Sequence, residues 1–531
     1  MWQKGWREKV FSDLDRKWDL IIVGGGITGA GIFREAVNAR LDVLLLEAND
    51  FAYGTSSRSS KLIHGGVRYL RNKQYNVTFE SVRERQWMLR EAPKLVTPLP
   101  FLLPVYSENE RSQKNTGLQL LMYDLMAPKW WHRSYSASQL LKVCPYFRRE
   151  NLIRGYFYGD ALMDDARLVL RVIREAVRAG GTALNYTEVI NLLREKDGQV
   201  CGVLLRDRAG KAGQTCEVQA RVVINATGPW SDKLRGQIGA LPRLRKLRGS
   251  HVVLPEDKLP SQYYAVHLMH PRDYRTMFTF GWNGAGIAGT TDLDHAPELE
   301  EKYAEPFASH EEIEYIIEAL QFTFPELGIQ HKDIISTIAG LRPVVNTGKA
   351  RPSDESRAHA IWEEDGLLTI TGGKYTTFRV MAAETLNRAS RRLRGNPVFP
   401  TRKRLFEPLP TEFSPEMENL PNLAYLLGRY GNEVQEMAAS SPAQELEPIQ
   451  GLPDCWAELR WAARTESVVR LDDLLLRRVR IGLTLRDGAF DEMTKIRSIV
   501  QPELGWDDDQ WNEEMEYYRK VWKTYYSPSP G

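Results

Sequence analysis

The chain is predicted to be an α/β protein (α+β overall): a Rossmann-like dinucleotide-binding domain, a β-rich domain set into it, and a C-terminal helical cap. Three observations predict this. Leu20-Ile21-Ile22-Val23 is a short apolar run that breaks into a glycine turn followed by a helix-like stretch. Residues from about 247 to 294 are β-like and Gly-rich, with aromatic residues interleaved. Residues 415–526 show helical periodicity with many charges.

Taken in order, the N-terminal segment places Trp2, Trp6, Val10, Leu14 and Trp18 at four-residue steps, a broad apolar stripe if helical. Such a stripe docks on the protein body, or lies in a membrane interface with Lys4, Arg7 and Lys9 alongside. The apolar run at 20–23 is of buried parallel-strand type. A helix is expected over Ala30 to Ala39, and a second strand, Leu41 to Leu46, ends on Glu47. Together these make a βαβ half-unit. Further strands are expected at Ala183–Leu193, Val200–Arg206 and Val222–Ala226, and a Pro-rich basic linker near 396–410. The expected division is 1–19 amphipathic segment; 20–100, 150–246 and 346–395 cofactor domain; 101–149 and 247–345 substrate domain; 400–531 helical cap.

At 531 residues the chain exceeds one simple core, and its composition (42% apolar, 26% charged, net charge +2) is that of an ordinary globular protein. The near-balance of charge argues against nucleic acid as the main partner. Cys144, Cys201, Cys216 and Cys455 have no metal-ligand spacing and read as reduced thiols, so no metal is expected. No apolar run is long enough to span a bilayer, and no secretory signal is visible.

The turn is a G-x-G-x-x-G pattern, Gly24, Gly26 and Gly29, with Ile27 and Thr28 opening the helix. It follows a strand, opens a helix and has an acid about 20 residues on, the context that distinguishes a dinucleotide fingerprint from an ordinary tight turn. Gly24 permits the turn, Gly26 the approach of a diphosphate, and Gly29 close helix–strand packing. Glu47 can accept hydrogen bonds from ribose hydroxyls. Two later glycine turns, Ala226-Thr227-Gly228 and Thr371-Gly372-Gly373-Lys374, suit a chain that returns to its cofactor, and so favour FAD over NAD. Thr55, Ser56, Ser57, Ser60, Lys61, Leu62 and His64 follow the second strand; their hydroxyl and N–H groups can bind phosphate or a flavin ring.

The stretch from Thr55 through His64-Gly65-Gly66-Val67-Arg68-Tyr69-Leu70 resembles the signature of the FAD-dependent, quinone-linked respiratory glycerol-3-phosphate dehydrogenases. Asp164–Leu168, Asn225–Trp230, Gly249–Val253, Gly289–Asp292, Gly340–Pro343 and Gly372–Thr377 resemble the same family in order. Leu471–Leu474 with Arg477, Arg478 and Arg480 is similar to its helical cap. The resemblance implies oxidation of sn-glycerol 3-phosphate to dihydroxyacetone phosphate, hydride passing from C2 to FAD N5 and electrons to a membrane quinone. It implies Arg68, Tyr69, Arg342, Arg357, Lys374 and Thr376 as substrate contacts, Arg being suited to a phosphate dianion. His251, Arg342 and His64 are the catalytic candidates, and which of them acts as base is open.

The resemblance also implies a cytoplasmic protein held peripherally on the inner face of the plasma membrane. Candidate contacts are the N-terminal Trp stripe, the segment Leu118–Trp131, the arginines Arg470, Arg477, Arg478 and Arg480, and the tail Tyr517–Tyr526. A homodimer is left open. Three other readings stay in play: a glycerol-3-phosphate oxidase using oxygen, an amine or amino-acid oxidase of the same plan, and a flavin-bound scaffold without turnover.

Overall fold

A computed structural model describes residues 2–67, 70, 75–109, 114–127, 131–209, 213–351, 355–400 and 404–529, the side chain of Glu416 excepted. Arg68, Tyr69 and Trp130 lie outside these residues.

The apolar runs become parallel strands. Trp18–Val23 and Val43–Leu46 are buried throughout, as strands covered on both faces must be. Helix Ile27–Asn38 joins them, so they pair in parallel, Leu20 opposite Val43. This sheet runs His359–Glu364, Leu367–Gly372, Thr215–Asn225, Trp18–Val23, Val43–Leu46, Thr182–Leu184. Only the edge strand His359–Glu364 pairs antiparallel in that order. A hairpin of Thr187–Arg194 and Val200–Asp207 extends the near end of Thr215–Asn225.

The second sheet is predominantly antiparallel: Leu293–Asp294, Leu244–Pro255, Ala285–Gly289, Thr276–Trp282, Ala265–Met269, Val96–Tyr106, Leu152–Met163 and Leu62–Ile63 in order, with Ser336–Val345 along Leu244–Pro255. Its back is covered by helix His310–Thr323, which buries Ile313, Ile316, Ile317 and Leu320. The C-terminal part is helical from Pro415 to Tyr525. Its last helix, Asp508–Tyr525, turns Trp511, Tyr518 and Trp522 inward, and the N–H of Thr337 donates to the carbonyl of Tyr526 at 2.7 Å. Tyr518, Val521, Trp522 and Tyr526 of the Tyr517–Tyr526 tail are therefore covered by the core, while Tyr517 stays exposed.

The N-terminal stripe also turns inward. Only Trp6–Ser12 is helical, and Trp18 already belongs to the first strand. Trp2, Leu14 and Trp18 are buried, and Trp2 stacks on Phe51 at 5.5 Å. Arg7 donates to the carbonyl of Asn185 at 2.9 Å and to Asp207, fastening the segment down. Exposing Trp2 to water would forfeit roughly 5 kcal/mol of burial, so the ring stays covered where it is. The four cysteines are free, Cys144 and Cys455 buried.

Candidate active site

A cavity of about 750 Å³ opens where the far ends of the parallel strands meet the antiparallel sheet. Its first wall is the glycine turn. Gly24 has φ +115°, and a Cβ there would stand 2.5 Å from the carbonyl oxygen of Ala226. A Cβ on Gly29 would stand 1.9 Å from the carbonyl of Gly24. Both positions therefore require glycine. The N–H of Ile27 donates to Ser56 Oγ at 3.0 Å, which seats the helix start in the wall. Glu47 accepts from the N–H groups of Gly25 (2.7 Å) and Asn49 (2.9 Å), and burial pushes its carboxyl above the usual range. A turn without side chains, a helix N-terminus and a carboxylate facing one long cavity fit a dinucleotide cofactor.

The second wall brings the later turns to the same place. Ala226, Thr227 and Gly228 line the cavity, as do Gly373, Lys374 and Thr376. Thr371 Oγ1 donates to the carbonyl of Gly228 at 3.3 Å, and Gly372 and Gly373 take φ of +74° and +76°. Thr28, Thr55, Ser60, Leu62 and His64 line it as well. Ser57 and Lys61 do not: both are buried behind the wall. Lys61 Nζ donates to both Asp165 carboxylate oxygens at 3.1 Å and to the carbonyl of Ser57 at 3.3 Å. The Lys61 ammonium is thus held by its carboxylate behind the wall and does not face the cavity.

The third wall carries the ionisable groups. His251 stands on strand Leu244–Pro255, buried, with Nε2 2.9 Å from Ser60 Oγ. Burial, followed by the nearby cations Arg342 and Lys61, pushes it down to about 3, so its imidazole is neutral. Burial likewise lowers His64 to about 4 and Lys374 to about 7; Lys374 Nζ donates to Ser81 Oγ at 2.8 Å. On the neighbouring strand, Arg342 lies across Gly249, where a Cβ would be 2.2 Å from its Nη2. Arg342 donates to Asp292 Oδ1 at 2.9 Å and to Thr290 Oγ1 at 2.9 Å. Arg357 reaches the same carboxylate at 3.5 Å and Arg275 at 3.8 Å. All three guanidiniums line the cavity and remain 17–27% exposed.

Arg275 and Asp292 were not singled out as site residues from sequence. Asp292 closes the Gly289–Asp292 segment quoted above, which was the available signal; Arg275 sits in a polar turn and gave none. Tyr158 and His267, joined OH to Nε2 at 2.7 Å, also line the cavity and were missed.

The cap arginines close the site from behind. Arg478 grips Asp50 with two nitrogens at 2.7 Å each, and Arg477 Nε donates to Asp50 at 2.7 Å. Arg480 pairs with Asp164 and Asp165 and donates to the carbonyl of Ser57 at 2.7 Å. Side chains only 1% exposed cannot meet a membrane, so Arg477, Arg478 and Arg480 are removed from the interfacial candidates.

The chain as a whole is similar to known proteins. Residues 19–383 match the family model described as FAD dependent oxidoreductase, and residues 401–511 that described as the C-terminal domain of alpha-glycerophosphate oxidase. The aerobic glycerol-3-phosphate dehydrogenase of Staphylococcus saprophyticus is 31% identical, covering 97% of this chain and 95% of that one. The chain belongs to the FAD-dependent glycerol-3-phosphate dehydrogenase family. Glycerol-3-phosphate dehydrogenase 2 of Mycobacterium bovis is 34% identical over 94% of this chain and 87% of its own length. Among solved structures, the glycerol-3-phosphate dehydrogenase from Bacillus halodurans complexed with FAD aligns with TM-score 0.75 and 27% identity, over 100% of this chain and 99% of that one. The L-alpha-glycerophosphate oxidase of Mycoplasma pneumoniae, at 18% identity and TM-score 0.58, covers 74% of this chain and 99% of its own, and shares the fold. The protein is an FAD-dependent enzyme of this family, as the glycine turn and its two companions lead one to expect.

Proposed function

We propose that this chain oxidises sn-glycerol 3-phosphate to dihydroxyacetone phosphate and delivers the electrons to a membrane quinone. The observation that carries the substrate is the trio Arg275, Arg342 and Arg357, which opens onto the same cavity as the neutral His251. A phosphate monoester carries close to two negative charges near neutrality. Planar guanidiniums receive it with paired N–H groups, and the amine or carboxylate of an amino acid would not need three of them.

FAD, when bound, supplies the hydride acceptor. The Gly24–Gly29 turn and the start of helix Ile27–Asn38 would hold its diphosphate, and Glu47 its ribose hydroxyls. Ser56 holds the helix start, while Thr28, Thr55, Ser60 and Leu62 shape the wall. Arg342, Arg357 and Arg275 bind the substrate phosphate, with Lys374 and Thr376 beside them; Arg68 and Tyr69 are assigned to substrate by the resemblance alone. His251, neutral across the working range, takes the C2 hydroxyl proton at Nε2, and Arg342 stabilises the developing alkoxide. His64 lines the same cavity, and its place beside the cofactor is assigned by the resemblance.

Quinone as acceptor is supported by exposed apolar side chains on two neighbouring helices. Helices Tyr75–Glu91 and Thr116–Met126 pack together and present Tyr75 (46% exposed), Phe79 (45%), Leu118 (61%) and Leu125 (67%). No helix among the described residues is long and apolar enough to cross a membrane. An interfacial face of this kind is what a peripheral enzyme needs. Anaerobic addition of glycerol 3-phosphate is expected to bleach the visible flavin band of the holoprotein. Bleaching by amino acids but not by glycerol 3-phosphate would end the substrate reading. Faster reoxidation by a quinone analogue than by air is expected; the reverse order makes the protein an oxidase. Leu118→Asp with Leu125→Asp should cut vesicle binding while leaving dye-linked turnover intact.

A further inference from the structure

On the back of the antiparallel sheet, away from the cavity, His310, Glu314 and His331 bring three ligand-type side chains together. His310 and Glu314 stand one turn apart on helix His310–Thr323, a spacing that places both on one helix face. His331 comes from the short turn His331–Asp333 that packs against this helix. Their candidate ligand atoms all lie within 4.8 Å of one another, and the two imidazole rings are 5.9 Å apart. His331 Nε2 is buried and makes no hydrogen bond among the described residues. A buried ring nitrogen without a partner is costly unless a proton donor or a metal satisfies it.

The backbone around these groups is fixed. Ser309 and Glu312 form a reciprocal cap at the helix start. Gln330 and Asp333 do the same for the turn, where the Gln330 N–H donates to Asp333 at 2.8 Å, and Lys258 pairs with Asp333 at 3.4 Å. Gln321 Nε2 ties the helix to the carbonyl of Ile329 at 2.8 Å. Tetrahedral zinc with nitrogen and oxygen ligands at about 2.0–2.2 Å needs ligand atoms roughly 3.4 Å apart. Rotation of the exposed His310 side chain can supply that closure.

We propose that His310, Glu314 and His331 form a binding site for a divalent transition metal of the zinc class, with water as fourth ligand. Two imidazoles and one carboxylate suit zinc, copper or nickel rather than calcium or magnesium, which prefer all-oxygen sites. The metal would clip the first turn of the helix to the turn at His331. That first turn also carries Glu312, whose Oε1 accepts from Ser250 Oγ at 2.9 Å and Thr291 Oγ1 at 2.6 Å. Ser250 and Thr291 flank His251 and Asp292, so a bound metal would brace the strand and the loop that carry these two residues.

The test is titration of metal-free holoprotein with zinc(II), followed by calorimetry and thermal unfolding, and with cobalt(II), followed by visible absorption. One equivalent of zinc is expected, with a raised unfolding midpoint and cobalt bands of tetrahedral intensity. His331→Gln and Glu314→Gln should each weaken binding by at least about tenfold while leaving the flavin spectrum unchanged. Absence of binding in the wild type, or binding unchanged in both variants, overturns the site. None of these readouts depends on the identity of the substrate.

Discussion

Two groups of arginines lie on opposite sides of the cavity wall, and they do different things with the same side chain. Behind the wall, Arg477, Arg478 and Arg480 are 1% exposed and reach Asp50, Asp164, Asp165, Asp472 and Asp473, with Lys61 and Arg429 sharing two of these acids. Burial alone would push Asp50 up, but Arg478 and Arg477 together hold it below the usual carboxylate range. In the cavity, Arg275, Arg342 and Arg357 share the one carboxylate of Asp292 and keep 17–27% of their side chains exposed. The first group is a rivet between the cap and the cofactor domain. The second faces the cavity and, in the proposed function, receives the substrate phosphate. Exposure and the supply of acids, rather than the presence of arginine, separate a structural cluster from a binding one.

The largest expected effect breaks the rivet. Arg478→Met leaves Asp50 buried with half its partners gone and should destabilise the protein by roughly 3–5 kcal/mol. Thermal and urea unfolding measure this; a loss under about 1 kcal/mol would mean that the cap is held by apolar packing instead. Next comes His251→Asn, which keeps a polar side chain of similar size but removes the acceptor for the proton. It should lower kcat by about 10²–10³-fold with little change in KM or flavin content. An unaltered kcat would pass the role of base to another group, Lys374 at about 7 being the nearest in readiness.

Arg342→Ala tests the other half of the comparison. Loss of charge-assisted hydrogen bonds costs about 1.5–3 kcal/mol, so KM for glycerol 3-phosphate should rise roughly 10- to 100-fold. The unfolding midpoint and FAD occupancy should stay near wild type. Should occupancy fall in step with activity, Arg342 belongs with the rivet and the distinction drawn above collapses.

A separate effect concerns pH and the cap. Asp454 Oδ1 accepts from Tyr425 at 2.8 Å, while Oδ2 is buried and unpartnered among the described residues. Burial, and then the adjacent Glu458, push the carboxyl up to about 8. The unfolded chain loses this proton near the ordinary value of about 3.9, and the folded chain only near 8. Stability should therefore fall as pH rises from about 4 to about 8. Asp454→Asn should flatten that slope, read as unfolding midpoint against pH. A slope that persists in the variant places the titration elsewhere.

Much of the fold was legible because local rules are strong. Strand, glycine turn, helix and acidic strand end follow from side-chain periodicity and from φ values that only glycine adopts readily. The three glycine turns that line one cavity could be picked out separately, though not their meeting. The missed residues share one property: their environment is made by distant segments. Arg275 and Asp292 acquire meaning only when the loops that carry them come together, and the pairing of Lys61 with Asp165 shows only when both are placed. The same is true of the N-terminal tryptophans. An amphipathic stripe shows that an apolar face must be covered, and both a bilayer and a protein core cover it equally well until Phe51 is seen beneath Trp2.

By itself, then, the sequence determined the dinucleotide unit, the choice of FAD over NAD and the family, since these rest on spacing and motif order. Tertiary structure decided which cations face the cavity and which are sealed behind it, and which apolar side chains stay exposed. The reason is physical. Turn geometry and periodicity act over a few residues, whereas burial and the sharing of a carboxylate depend on which distant strands and helices pack together.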